Sequence, residues 1–118
     1  MKSWLRFVLI GVSLVCFDQE ALAAINIRGA ASCAVWIETR EQDKQEYARK
    51  SHPHQMWLIG FLSGLASGKN KDFWGNPNVN ELDSKSAVLW VDNYCRANLL
   101  KDIDDAGVAL FLERTKGR

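Results

Sequence analysis

Between Cys33 and Tyr47, Cys33, Trp36, Ile37, Arg40, Lys44 and Tyr47 recur at three- and four-residue spacing, while Glu38, Glu41, Gln42, Gln45 and Arg49 occupy the opposite side. That period predicts an amphipathic helix, and Ser32 immediately before it can accept from the free amides of a first turn. Arg40 is the unusual member of the inner stripe. Its aliphatic stem can lie along apolar surface while the guanidinium reaches water.

A second helix is expected to begin at His52-Pro53, where a proline costs nothing in the first turn, and to stop at Gly68, a residue suited to the left-handed position after a helix. On a 100° wheel Trp57, Gly60, Phe61, Gly64, Leu65 and Gly68 fall together, flanked by Leu58 and Leu62. A helix apolar around most of its circumference predicts the most buried element of the fold. Gly60 and Gly64 then read as a flat groove for a closely approaching helix, each costing about 1 kcal/mol relative to alanine in helix propensity.

The following stretch, KNKDFWGNPNVNEL, is rich in asparagine and holds Gly75 and Pro77, the composition of an irregular loop. Its aromatics, Phe73 and Trp74, serve either as the loop's own packing anchors or as a contact surface. Asp83 or Ser84 can cap a third helix running to Asn98, with Val88, Val91, Cys95 and Leu99 on one stripe and Ala87, Trp90 and Tyr94 on another. Asp92 and Arg96, four apart, are expected to pair on its surface. A fourth helix, from about Lys101 to Lys116, carries Asp102, Asp104 and Asp105 at its start and Arg114 at its end, as the helix dipole favours. Its inner face should be Ile103, Ala106, Gly107, Leu110 and Phe111. The expected fold is a compact all-α four-helix domain.

Export changes this picture. The first residues carry Lys2 and Arg6, an apolar run from Leu5 to Phe17, and Ala21-Leu22-Ala23, the small-x-small pattern of a signal-peptidase site. The run falls short of the roughly 20 residues that span a bilayer. Residues 1–23 are therefore expected to be a signal peptide cleaved after Ala23, and residues 24–118 a single exported domain, periplasmic and not embedded in a membrane. Cleavage removes Lys2, Arg6, Asp18 and Glu20, leaving the formal net charge at +1, which offers no footprint for nucleic acid.

Of three cysteines, Cys33 and Cys95 remain after cleavage. An even count in an oxidising compartment predicts a disulfide, whereas a reactive pair would want Cys-x-x-Cys spacing. Closing a loop of that size contributes about 4 kcal/mol by chain entropy, set against the ~5–15 kcal/mol total stability of a small domain.

Motifs that suggest chemistry fail on context. Gly68-Lys69 resembles the end of a phosphate-binding loop, but the first glycine of that motif is Ser63 here, its final hydroxyl is Asn70, and the pair ends a helix rather than starting one. The four-residue glycine repeat resembles a membrane helix-packing motif without the length to span. His52-Pro53-His54 lacks further zinc ligands, and the Asp102, Asp104 and Asp105 cluster lacks the glycine and closing glutamate of a calcium loop. With both histidines together there is no triad order. No cofactor or metal is expected, and a binding protein is favoured over an enzyme.

The order Cys33-x-x-Trp36, Arg40, Trp57-Leu-Ile-Gly-Phe-Leu-Ser-Gly64, the aromatic and asparagine loop, Asp92-Asn-Tyr-Cys95-Arg-Ala-Asn98 and a final Ala/Leu/Phe helix resembles the Tai/Rap-type immunity proteins. These small exported helical proteins bind and block peptidoglycan-cleaving amidase effectors of type VI secretion. The resemblance covers Cys33 to about Glu113 and implies inhibition of such an amidase by protein–protein contact. The expected contacts are Phe73 and Trp74 as aromatic anchors, with Asn76, Asn78 and Asn80 hydrogen-bonding around them. That assignment comes from the aromatic loop itself. A second copy of the chain is the other candidate partner. On size, export and the cysteine pair alone, the chain also resembles HdeA-type acid-stress chaperones of the periplasm, and an orphan envelope protein of the same fold is a third reading.

Overall fold

The computed structural model describes residues 26–46, 49–76 and 80–117. The expected signal peptide with its cleavage site, Tyr47 and Asn78 lie outside them. Four helices are present among the described residues: α1 (Cys33–Glu46), α2 (His52–Lys69), α3 (Ser84–Ala97) and α4 (Ile103–Thr115). Among the described residues there is no strand, and an isolated bridge joins Ser32 and Asp102.

The helix starts follow their caps. Ser32 Oγ accepts from Val35 N at 3.1 Å at the head of α1, and the Asp83 side chain accepts from Ser86 N at 2.6 Å at the head of α3. α4 opens with a reciprocal capping box between Asp102 and Asp105, in which Asp102 N donates to Asp105 Oδ2 at 3.0 Å. α2 begins with Pro53 in its first turn. Its end differs from the expectation. Gly68 remains helical, and the left-handed residue is Asn70 at φ 50°, with Lys71 N donating to Ala66 O at 3.0 Å. Asparagine tolerates that conformation better than other residues with a side chain.

α4 packs on α2 and α3, and α3 also packs on α1. The core lies between them: Cys33 and Trp36 from α1, Leu58 and Leu62 from α2, Ala87, Val88, Val91 and Cys95 from α3, and Ile103, Ala106, Leu110 and Phe111 from α4. The whole expected inner face of α4, Gly107 included, is buried. Leu99, expected on the inner stripe of α3, lies beyond the helix end and is exposed. On α1, Lys44 is exposed and pairs with Glu41 instead of facing inward.

Cys33 and Cys95 form the disulfide, with Cα atoms 4.8 Å apart and a sequence separation of 62. It ties the head of α1 to the tail of α3. Cys33 N donates to Lys101 O at 2.8 Å and Ile103 N to Ala31 O at 2.9 Å, so backbone bonds fasten the head of α4 to the same point.

α2 is rotated from its expected orientation. Leu58 and Leu62 are its buried residues, Trp57, Phe61 and Leu65 are half-buried, and Gly60, Gly64 and Gly68 are exposed. A Cβ added at any of the three glycines would meet nothing within 4 Å. They do not admit a neighbouring helix, and α2 is not the most buried element. The close approach occurs at Gly107, where an added Cβ would lie 2.9 Å from Phe61 Cδ1 and 3.5 Å from Leu58 Cδ1. No helix among the described residues is long and apolar enough to cross a membrane.

Candidate functional site

The loop between α2 and α3 is fixed from inside. Phe73 is fully buried, stacks on Phe111 with ring centroids 5.6 Å apart, and meets Trp74 edge-on at 4.7 Å. This corrects the expectation that Phe73 contacts a partner. Its ring fills the domain's own core, so it is the loop's packing anchor and presents nothing outward. Trp74 is half-buried.

Arg114 on α4 holds both limbs of the loop. Its Nε and Nη2 donate to Phe73 O at 3.2 and 3.1 Å, and Nη2 also donates to Asn80 O at 2.9 Å. Leu82 N donates to Trp74 O at 2.7 Å, closing the base, and Gly75 N donates to Asp72 Oδ1 at 3.0 Å, turning the first limb. Asn80 occupies the left-handed region at φ 47°. Asn76 and Asn80 are exposed. The structure thus brings Trp74, Asn76 and Asn80 together on one tethered segment. Beside it a cleft of about 350 Å³ is lined by Asn80, Leu82, Trp90, Leu110, Glu113, Arg114 and Lys116. Trp90 stacks on Tyr94 at 5.7 Å. Sequence reasoning places Arg114 at a helix end for its dipole and Trp90 on a secondary stripe. Nothing local to either residue signals that both flank the loop.

A charged network joins α1 to α3. Asp92 is buried, and its Oδ1 accepts from Trp36 Nε1 at 2.7 Å. Arg40 grips the same carboxylate, Nε to Oδ1 at 3.0 Å and Nη2 to Oδ2 at 2.9 Å. Asp92 therefore does not pair with Arg96, which donates to Asn93 Oδ1 at 3.2 Å. Nor does Arg40 merely reach for water. The hydrogen bond to Asp92 raises its pKa further, against the opposing effect of burial. A bidentate pair that also satisfies an indole N–H suits a rigid structural joint between α1 and α3.

At the head of α4, carboxylate oxygens of Asp102, Asp104 and Asp105 gather within 4.8 Å of one another, close enough to reach one cation. Asp102 and Asp105 already accept amides in the capping box. Burial, then the charges of Asp105 and Asp102, push the Asp104 carboxyl above its usual range, and its Oδ1 is buried without a hydrogen-bond partner. The helix start accounts for two of the three groups.

These features define a disulfide-stapled four-helix domain that carries a tethered loop and an aromatic cleft. No protein-family model matches the chain, and neither a curated protein nor a solved structure matches it at a significant level.

Proposed function

We propose that the chain is an exported binding protein of the immunity type, which neutralises a secreted peptidoglycan-cleaving amidase by protein–protein contact. One observation carries this reading: Arg114 ties both limbs of the loop to α4. A loop held in one shape has already lost the freedom that binding would otherwise remove, so more of the contact energy appears as affinity. The contact surface is Trp74, Asn76 and Asn80 with the adjoining Trp90, and the expected contribution of Asn78 belongs to the same segment. Tryptophan and arginine around a cleft are the residue types that dominate interface energies.

The test starts with the oxidised protein purified from periplasmic extract at neutral pH, which should retain one stoichiometric partner, a small hydrolase encoded by the neighbouring reading frame. Arg114→Ala should weaken that complex by about tenfold or more with far-UV circular dichroism unchanged, because the loop's freedom must then be removed on binding. Asn80→Gly preserves the left-handed backbone while deleting the side chain, and Trp90→Ala opens the cleft. Wild-type affinity in all three variants would place the interface elsewhere. Recovery of no partner, together with suppression of client aggregation at about pH 2–3, would favour the acid-chaperone reading.

A further inference from the structure

The bundle leaves one side open. α4 packs on α2 and α3, and α3 packs on α1, but α2 and α3 share no comparable interface. Between their N-terminal halves lies a cleft of about 280 Å³, lined by Gln55, Met56 and Ile59 of α2, by Ser84, Lys85, Val88 and Leu89 of α3, and by Arg40 of α1. This is a different part of the molecule from the loop and its cleft, which Arg114 borders.

The charged lining is cationic. Arg40 and Lys85 face the cleft and no acidic side chain among the described residues lines it. Arg40 spends Nε and Nη2 on Asp92, which leaves the Nη1 edge without a hydrogen bond among the described residues, and a fifth of its side chain is exposed (20%). Lys85 is exposed and makes no close ion pair among the described residues, while the nearby Asp83 accepts from the Ser86 amide and keeps a negative charge that attracts Lys85. Asp92 balances Arg40 and the nearby Asp83 carboxylate partly balances Lys85, so the cleft offers two cationic donor groups with little excess positive charge. Two donor groups with little excess charge match a carboxylate better than a phosphate dianion.

Apart from the neutral Gln55 and Ser84, the remaining lining is apolar and open. Met56 is 51% and Leu89 47% exposed, and Ile59 and Val88 lie behind them against the core. An occupant with a hydrocarbon chain would cover this surface, with the hydrophobic gain that follows. The volume lies just under the range of about 300–1,000 Å³ common for small-molecule sites, which limits the chain to a short one.

The geometry points to a binding site for a short amphipathic monocarboxylate of the fatty-acid type, its carboxylate between Lys85 and the free edge of Arg40 and its chain along Ile59, Val88, Met56 and Leu89. The site stands independently of the loop and its protein partner, and loss of one leaves the other intact.

Calorimetric titration of the oxidised exported chain with octanoate should show saturable binding at one site. Acetate, which lacks the chain, and 1-octanol, which lacks the charge, should each bind at least about tenfold more weakly, a difference of about 1.4 kcal/mol. Lys85→Gln, at an exposed position, should reproduce the loss seen with 1-octanol, and Leu89→Asp should abolish binding with the helical signal retained. Amide chemical shifts should move at Val88, Leu89 and Ile59. No saturation with octanoate would overturn the proposal. So would equal affinity for octanoate and 1-octanol, or shifts confined to Trp57 and Gly60 on the neighbouring face of α2.

Discussion

Alanine should stabilise the protein at Gly64 and destabilise it at Gly107, although both glycines lie inside helices. Gly64 sits within α2, and a Cβ there meets nothing within 4 Å. The substitution therefore collects the intrinsic helix-propensity difference, about 1 kcal/mol, with no packing penalty. Gly60→Ala adds a similar gain, since the same open space faces it. At Gly107 the propensity gain is the same, but the new methyl lies 2.9 Å from Phe61 Cδ1 and 3.0 Å from Cε1. The Phe61 ring stacks on Trp57 at 5.0 Å, so it cannot swing aside without disturbing a second aromatic. Overpacking of this sort costs about 1–3 kcal/mol, which leaves Gly107→Ala a net loss of about 1 kcal/mol. Urea denaturation at neutral pH, followed by circular dichroism, measures both through the midpoint at constant slope. In thermal melts each kcal/mol should move the midpoint by about 4–8 °C for a domain of this size. A loss of stability in Gly64→Ala would mean that the α2 glycine face is in contact, and a gain in Gly107→Ala equal to that of Gly64→Ala would mean that Phe61 does not crowd the site.

Asp92→Ala should cost about 3 kcal/mol, since it leaves the Arg40 charge and the buried Trp36 N–H without their partner. Asp92→Asn should cost less because it retains an acceptor for the indole, and equal losses in the two variants would show that the indole bond adds nothing. Acid sensitivity should divide between two carboxylates of opposite behaviour. For Asp43, burial pushes the pKa up, but hydrogen bonds from the Ser51 hydroxyl and the Ser51 and Lys50 amides outweigh it and hold the group below its usual range. Its stabilising effect is then present above the unfolded pKa of about 3.9 and disappears as the pH falls through the lower folded value. Asp104, held above its usual range by burial and by Asp105 and Asp102, acts in the other sense: it costs stability at neutral pH, and the cost is relieved as the pH falls through its folded pKa. Urea midpoints measured across the acid range should show a shallower acid loss in Asp43→Asn, and in Asp104→Asn a gain at pH 7 that vanishes in acid. An unchanged acid limb in Asp43→Asn would remove that carboxylate from the account.

What the sequence makes legible depends on how local the cause is. Helix starts are set by residues within one turn, and Ser32, Asp83 and Asp102 stand at the heads of α1, α3 and α4 for that reason. The α4 face is legible too, because Ile103, Ala106, Gly107, Leu110 and Phe111 keep a three- and four-residue spacing apart from Asp104, Asp105 and Glu113, although Val108 and Leu112 are apolar and exposed. α2 offers no such contrast. Apolar residues surround it, so the pattern is satisfied whether Gly64 or Leu62 faces inward, and only its contact with α4 selects the leucine. Local spacing likewise favours Arg96 as the partner of Asp92, whereas the actual partner, Arg40, is 52 positions away. A trace of that pairing was nonetheless present, since Arg40 and Asp92 are opposite charges on helical faces otherwise occupied by core residues. A charge placed on a core stripe needs a partner there, and the partner has to come from another stripe. The candidate loop lacks even this clue. Phe73 and Trp74 are adjacent aromatics in the same polar stretch, and only Phe111 and Arg114, one turn apart on α4, decide that the first ring is core and that the loop is held in place around it. The segment's composition marks it as irregular, but its suitability for binding arises from a helix that the chain reaches some thirty residues later.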